Sequence, residues 1–311
     1  MNSHRLVALL LVLGALIGIQ LLLRSRERSV LPPSQVIQLI PADVTLDTLS
    51  AVELSMGQPD TPQVLIVRNP KGWRVATAYG AAAELDHLRR FVEALKGLTG
   101  EERAHGRKWF GDFGVGEQSL HLVLRQEDRV VSSLVIGRSR KDPTLNFVRR
   151  SGDDVVYVVE KDLLAQAGLG GSASVLPEEL SAQRWVNLKL FPVDADSLSD
   201  VELAERIRGN WVVRGECHKP FDQETLGWLK QVLGLQGWAI LDPETSVLAF
   251  KGSRWRWMLK QQDGTVLAME ESQPKEKDEG VTVRFFPEGP YLTVTESSLQ
   301  HFRERLLPQK K

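Results

Sequence analysis

The stretch LIPADVTLDTLSAVEL at residues 39–54 returns, two residues shorter, as LFPVDADSLSDVEL at residues 190–203. No other feature constrains the fold as much, because a chain that writes one module twice must bury two cores of the same kind. The correspondence continues in register. Gly72-Trp73-Arg74-Val75 answers to Asn210-Trp211-Val212-Val213, and Leu88, Phe91 and Leu95 to Leu226, Leu229 and Leu233. Leu120–Leu124 answers to Trp255–Leu259, and Phe147-Val148-Arg149 to Thr282-Val283-Arg284. A unit of roughly 140 residues is far longer than solenoid or propeller periods of about 20–50 residues, so it reads as two domains of ordinary size.

Composition agrees with two globular cores. The chain is 42% hydrophobic and 25% charged, richer in apolar residues than a disordered chain. Lys and Arg number 39 against 40 Asp and Glu, so no global field is present to gather nucleic acid, and no nucleic-acid partner is expected. Cys217 is the only cysteine, which excludes an internal disulfide and a thiolate metal cluster drawn from this chain.

Residues 6–23 are apolar except for Gly14, Gly18 and Gln20. As a helix rising about 1.5 Å per residue they span roughly 27 Å, close to a hydrocarbon core of about 30 Å. A cleavable signal would have a shorter apolar region followed by small residues, whereas Arg24-Ser25-Arg26-Glu27-Arg28 follows here. The segment therefore reads as an uncleaved transmembrane helix after a short tail at 1–5. Taken alone, the arginines at 24, 26 and 28 favour a cytoplasmic C-terminal side, although long domains are translocated largely regardless of such charge. Pro32-Pro33 makes Ser29–Ser34 a short stiff spacer within a linker at 24–36.

The remainder predicts an α+β chain of two repeats, 37–170 and 184–307, joined by a Gly- and Ser-rich linker at 171–183 and ended by a tail at 308–311. In the first repeat strands are expected at Ala51–Met56, Val64–Arg68, Trp73–Ala76, Leu120–Arg125, Val130–Ile136, Asn146–Arg150 and Val155–Glu160. The apolar spacing of Leu85, Leu88, Phe91, Val92 and Leu95 predicts a helix over about 84–98, and a short one is expected at Lys161–Ala167. The strand connections are too short for crossover helices, so the sheets should be mainly antiparallel. The second helix is expected at Gln223–Leu235, and a charged hairpin loop at 273–279.

No motif names an activity. Gly168, Gly170 and Gly171 lack dinucleotide or Walker spacing and follow a helix instead of opening one, which suits a cap and linker. Asp112-Phe113-Gly114 lacks the other kinase motifs and reads as a turn. The six histidines, His4, His87, His105, His121, His218 and His301, contain no i, i+4 pair for zinc. Cys217 and His218 are adjacent and would point to opposite faces of a strand, poor geometry for a nucleophile and base. Asp153-Asp154, Glu178-Glu179 and Glu101-Glu102 fall in solvated stretches. No catalytic, cofactor-binding or metal-ligating residue is assigned, and no cofactor is expected. Six of eight tryptophans lie in the second repeat. Trp228, Trp238, Trp255 and Trp257 are candidates for an interaction surface, although Trp255 and Trp257 replace Leu120 and Leu122 and so also suit a core, with Arg256 on the opposite face.

Gly72-Trp73-Arg74-Val75, the helix with Leu88 and Leu95, Phe113-Gly114-Val115, the strand ending Val135-Ile136-Gly137, and Phe147-Val148-Arg149 followed by Val155–Val158 resemble the family called domain of unknown function 4340. The likeness extends over nearly all of residues 35–306. It implies one N-terminal membrane helix, a large extracytoplasmic part, and association with gliding-motility-type ABC export systems alongside a permease, an ATPase and an auxiliary membrane protein. It defines no catalytic residues. The second repeat departs from it, lacking the Phe-Gly-Val turn and carrying Glu270 or Glu271 in place of Gly137. The expectation is a single-pass protein of the bacterial inner membrane with periplasmic C-terminal domains, a non-enzymatic accessory to an ABC-type exporter. The alternative is a glycan- or lipid-binding module using the aromatics of the second repeat.

Overall fold

A computed structural model describes residues 35–57, 61–138, 145–170, 179–246, 250, 253–272, 280–286 and 289–307. The apolar segment 6–23, the diproline spacer and the loop 273–279 lie outside the described residues. Among the described residues no helix is long and apolar enough to cross a membrane.

The first repeat runs β1 (Val36–Gln38), β2 (Ala51–Met56), β3 (Val64–Asn69), β4 (Gly72–Val75), β5 (Ala81–Ala82), α1 (Leu85–Leu95), β6 (Thr99–His105), α2 (Phe110–Phe113), β7 (Leu120–Gln126), β8 (Arg129–Arg138), β9 (Asn146–Arg150), β10 (Val155–Val159) and α3 (Leu163–Gln166). The second runs β11 (Leu198–Ile207), β12 (Asn210–His218), α4 (Gln223–Leu233), β13 (Ala239–Leu241), α5 (Pro243–Ser246), β14 (Trp255–Gln261), β15 (Val266–Glu271), β16 (Val281–Phe286), β17 (Tyr291–Val294) and α6 (Glu296–Leu306). The strands form a ten-stranded sheet ordered β1-β6-β10-β9-β8-β7-β2-β3-β4-β5 and a seven-stranded sheet ordered β12-β11-β14-β15-β16-β17-β13. Their pairings are antiparallel. The chain is thus an α+β protein, as its strand spacing implied. The run β6-β10-β9-β8-β7-β2-β3 has the same order as β13-β17-β16-β15-β14-β11-β12, which is the duplication expressed as topology.

Each sheet buries one face beneath its helix. On α1, Leu88, Phe91, Val92 and Leu95 are buried against Val52, Leu54, Leu122 and Leu134, at about 1.5–3 kcal/mol for each large side chain. Asp222 caps α4 by accepting the Thr225 N–H at 2.7 Å, and Trp228, Leu229, Val232 and Leu233 face the second core.

Three correspondences change once the strands are placed. Trp73 lies on β4, separated from β2 by β3, whereas Trp211 lies on β12 and pairs directly beside β11. The two tryptophans are therefore not equivalent: the second copy omits one hairpin, Trp73 is buried, and Trp211 is half-buried on the other face. Secondly, Leu120 pairs with Ile136 and Trp255 with Glu271. The register thus puts Glu271 at the place of Ile136 and Ser272, not Glu270 or Glu271, at the place of Gly137. Thirdly, Trp185 and Val186, which fall inside the second repeat as its sequence bounds it at 184–307, belong to the core of the first sheet. Trp185 stacks on His87 with ring centroids 4.2 Å apart, and its carbonyl accepts the Glu84 N–H at 2.7 Å. The connecting segment goes on to donate from Asn187 to Ala82 O and to accept at Leu188 from Gly237, so it is tied to both copies.

The glycine that carries the family likeness has a steric reason. A Cβ on Gly137 would lie 1.7 Å from Gly114 O, and one on Gly114, where φ is +65°, would lie 2.4 Å from Arg138 O. Backbone sits on backbone, and neither side can yield. Gly137→Ala should lower stability by about 2–3 kcal/mol, read as a fall in the urea midpoint. Gly111→Ala, which meets nothing within 4 Å, should change it by less than about 0.5 kcal/mol.

Candidate functional site on the outer face of the second sheet

Opposite the helix-covered face, the first sheet hides a small apolar cluster of Val115, Val135, Phe147 and Val156. The turn after β6 covers it: Phe113 packs on Phe147 with centroids 4.7 Å apart, and Arg149 donates to Val115 O at 2.8 Å while lying 4.5 Å above Phe110. The corresponding face of the second sheet is chemically different. Register equates His121 with Arg256, Val135 with Glu270 and Arg149 with Arg284, so an arginine, a glutamate and an arginine lie side by side on β14, β15 and β16.

The Glu270 side chain is 5% exposed and accepts from Arg256 Nε at 3.0 Å, from Arg256 Nη2, and from Arg284 Nη2 at 3.1 Å. Aromatic rings frame the pair. Arg256 lies 4.2 Å over Trp211, which Arg206 approaches from 5.9 Å, and Arg284 lies 4.2 Å over Phe286 and 5.1 Å over Phe250. Two guanidiniums share one carboxylate, leaving one net positive charge on a stacked aromatic surface. Both arginine side chains are more than a quarter exposed. Such a face suits recognition of a protein surface bearing acidic and apolar groups, since Arg and Trp contribute most where contacts are partly desolvated.

Farther along the same face, His218 Nδ1 meets Asp200 Oδ1 at 2.7 Å, and Ser199 Oγ donates to Asp200 Oδ2 at 2.7 Å. Hydrogen bonding to Asp200 holds the His218 imidazolium above its ordinary range, and Asp200 is held correspondingly low by His218 and Ser199. Ser199 and His218 contact the same carboxylate instead of each other, so the trio is not arranged to activate the serine hydroxyl. Cys217 points the other way, as the strand alternation required, and burial pushes its thiol up to about 11. At neutral pH it is a protonated apolar side chain.

The structure separates the four tryptophans proposed from sequence. Trp257 is fully buried, Trp255 and Trp228 are 9% exposed, and only Trp238, at 58%, is open to solvent. Trp257 contacts Phe191 and donates from Nε1 to Glu271; Trp228 packs on Phe302. They are core side chains, whereas Trp238 stands at the joint, where its carbonyl accepts from Gln183 Nε2 at 2.6 Å. Trp211, Phe286 and the arginines were not singled out. The available signal was the alternation Trp255-Arg256-Trp257, which put Arg256 on the opposite face, together with the alignment of Arg149 on Arg284. Among the described residues no cluster of histidine, cysteine and carboxylate groups is placed to hold a metal ion.

Behind this face, Glu271 is fully buried on the core side. Its carboxylate accepts from Trp257 Nε1 and from Arg303, and Arg303 also donates to Glu296. Glu271→Ala should leave the buried Arg303 guanidinium with Glu296 as its one carboxylate and cost about 2–3 kcal/mol. Glu271→Ile with Arg303→Leu, restoring the apolar character of the first copy, should recover most of that in urea unfolding; no recovery would mean that the pair is not coupled.

No match to the chain was found among curated proteins or among solved structures. A match to the family model described as a domain of unknown function (DUF4340) covers residues 73–227, from β4 across the joint into α4, and supports the kinship suggested by Phe113-Gly114-Val115 and the strand ending at Gly137.

Proposed function

We propose that the protein is a membrane-anchored, non-catalytic accessory or scaffold protein of an ABC-type export system in the bacterial envelope, and that it docks through the outer face of its second sheet. One observation carries the docking: at equivalent positions on one scaffold, the first copy hides an apolar cluster under its own turn and the second presents Arg256, Arg284 and Trp211. Pairing the buried Glu270 requires the two guanidiniums, but not their partial exposure beside Trp211. The anchor rests on the apolar segment 6–23, and the export partner on the family kinship and its association with permease, ATPase and auxiliary membrane subunits. The domains then stand outside the cytoplasm, with the bacterial inner membrane as their support.

Purified gently in detergent from its own host, the full chain should bring down a permease or an ATPase; a chain that purifies alone contradicts the reading. Trp211→Ala should weaken that capture by about thirtyfold, roughly the 2 kcal/mol expected of a central aromatic, without shifting the unfolding midpoint by more than about 1 kcal/mol. A reporter fused after Lys311 should be active only outside the cytoplasm, and cytoplasmic activity would overturn the envelope placement.

A further inference from the structure

A groove of about 230 Å³ lies where the two copies meet. Arg74 and Ala82 of the first copy form one wall. The connecting segment forms the floor with Asn187, Lys189, Leu190 and Pro192, and Leu267, Phe285, Phe286 and Pro290 of the second copy close the other side. Among the described residues the lining is apolar except for Asn187 and two cations, and includes no carboxylate. Among the described residues neither Arg74 nor Lys189 is engaged in an ion pair, although each reaches the groove from a different element. An apolar slot carrying two uncompensated positive charges is complementary to a ligand with an apolar body and an anionic head.

The backbone narrows the class further. Pro192 and Pro290 have no N–H to offer. The Asn187 N–H is used by Ala82 O at 2.8 Å, that of Lys189 by Asn187 Oδ1 at 3.0 Å and that of Leu190 by Leu235 O at 3.0 Å. A peptide laid here would bury a row of carbonyls that the backbone of the connecting segment cannot satisfy, whereas an acyl chain brings none. The volume falls below the range of about 300–1,000 Å³ typical of drug-sized ligands, and so suits a short chain or the end of a longer one.

From these features we infer that the groove binds an amphipathic carboxylate of the fatty-acid class, with its chain against Leu267, Phe285 and Phe286 and its head group between Arg74 and Lys189. The groove shares Phe286 with the docking face, but the inference rests on the joint and on Arg74 and Lys189, not on Arg256 or Arg284.

The test uses the full chain held in amphipol and irradiated with octanoate bearing a diazirine near its chain end, with labelled peptides mapped by mass spectrometry. Labelling is expected on peptides containing Leu190, Leu267 or Phe285. Excess octanoate should remove it and octanol at the same concentration should not. Arg74→Ala combined with Lys189→Ala should reduce labelling by about tenfold, the loss expected when a charge-assisted contact worth about 1.4 kcal/mol is removed, and Arg74→Lys should retain most of it. Labelling outside the groove, equal competition by octanol, or undiminished labelling of the double variant would overturn the inference. If circular dichroism shows the double variant unfolded, the competition between octanoate and octanol decides alone.

Discussion

Two consecutive glutamates on one strand are both buried, and strand alternation sends them to opposite faces of the sheet. A buried carboxylate without a partner costs several kcal/mol, so Glu270 and Glu271 each require a guanidinium, one from above the sheet and one from below. Glu270 obtains two, from the strands on either side of β15. Glu271 has no suitable neighbour on its own sheet and is met by Arg303, delivered from the last helix. The first copy has Val135 and Ile136 at these positions, and its sheet is followed by the short α3 instead of a long helix. Much of what distinguishes the second copy, its long C-terminal helix and its arginine-rich outer face, follows from accommodating these two charges.

The same reasoning explains why the copies resemble each other in outline and not in chemistry. Strand order, the apolar stripe of the helix and the buried face are shared because each must close an antiparallel sheet against a core. The outer face is freer, and there the copies part. In the first, Gly114 sits against Gly137 so that the turn can press Phe113 onto the sheet. In the second, Ser272 stands at the position of Gly137, and Phe250 and Tyr291, 5.4 Å apart, flank the arginines instead.

Much of this was legible in the residues. Ala51–Met56 and Asn146–Arg150 have the bounds their apolar patterns implied, and α1 and α4 fall within the expected helices, because burial on one face imposes a period that the sequence must carry. β6 was not legible: Thr-Gly-Glu-Glu-Arg-Ala-His is mostly polar, with no large apolar side chain, and is a strand because β1 and β10 flank it. The tryptophans left two readings open for a related reason, since a large aromatic is equally at home in a core and at an interface. Trp255 and Trp257 are settled by register, which turns them inward and Arg256 outward. The alignment of Trp73 with Trp211 failed because sequence order does not reveal that a hairpin has been omitted at the sheet edge.

The central claim is that one scaffold is used twice and that only its second outer face meets a partner. A photo-crosslinking amino acid placed in living cells at Met258, beside Arg256 on that face, and in a separate chain at Val123, its counterpart on the first sheet, tests this directly. The account predicts a crosslink to a membrane transporter subunit from Met258 and none from Val123. Equal crosslinking from both positions, or none from Met258, would contradict it.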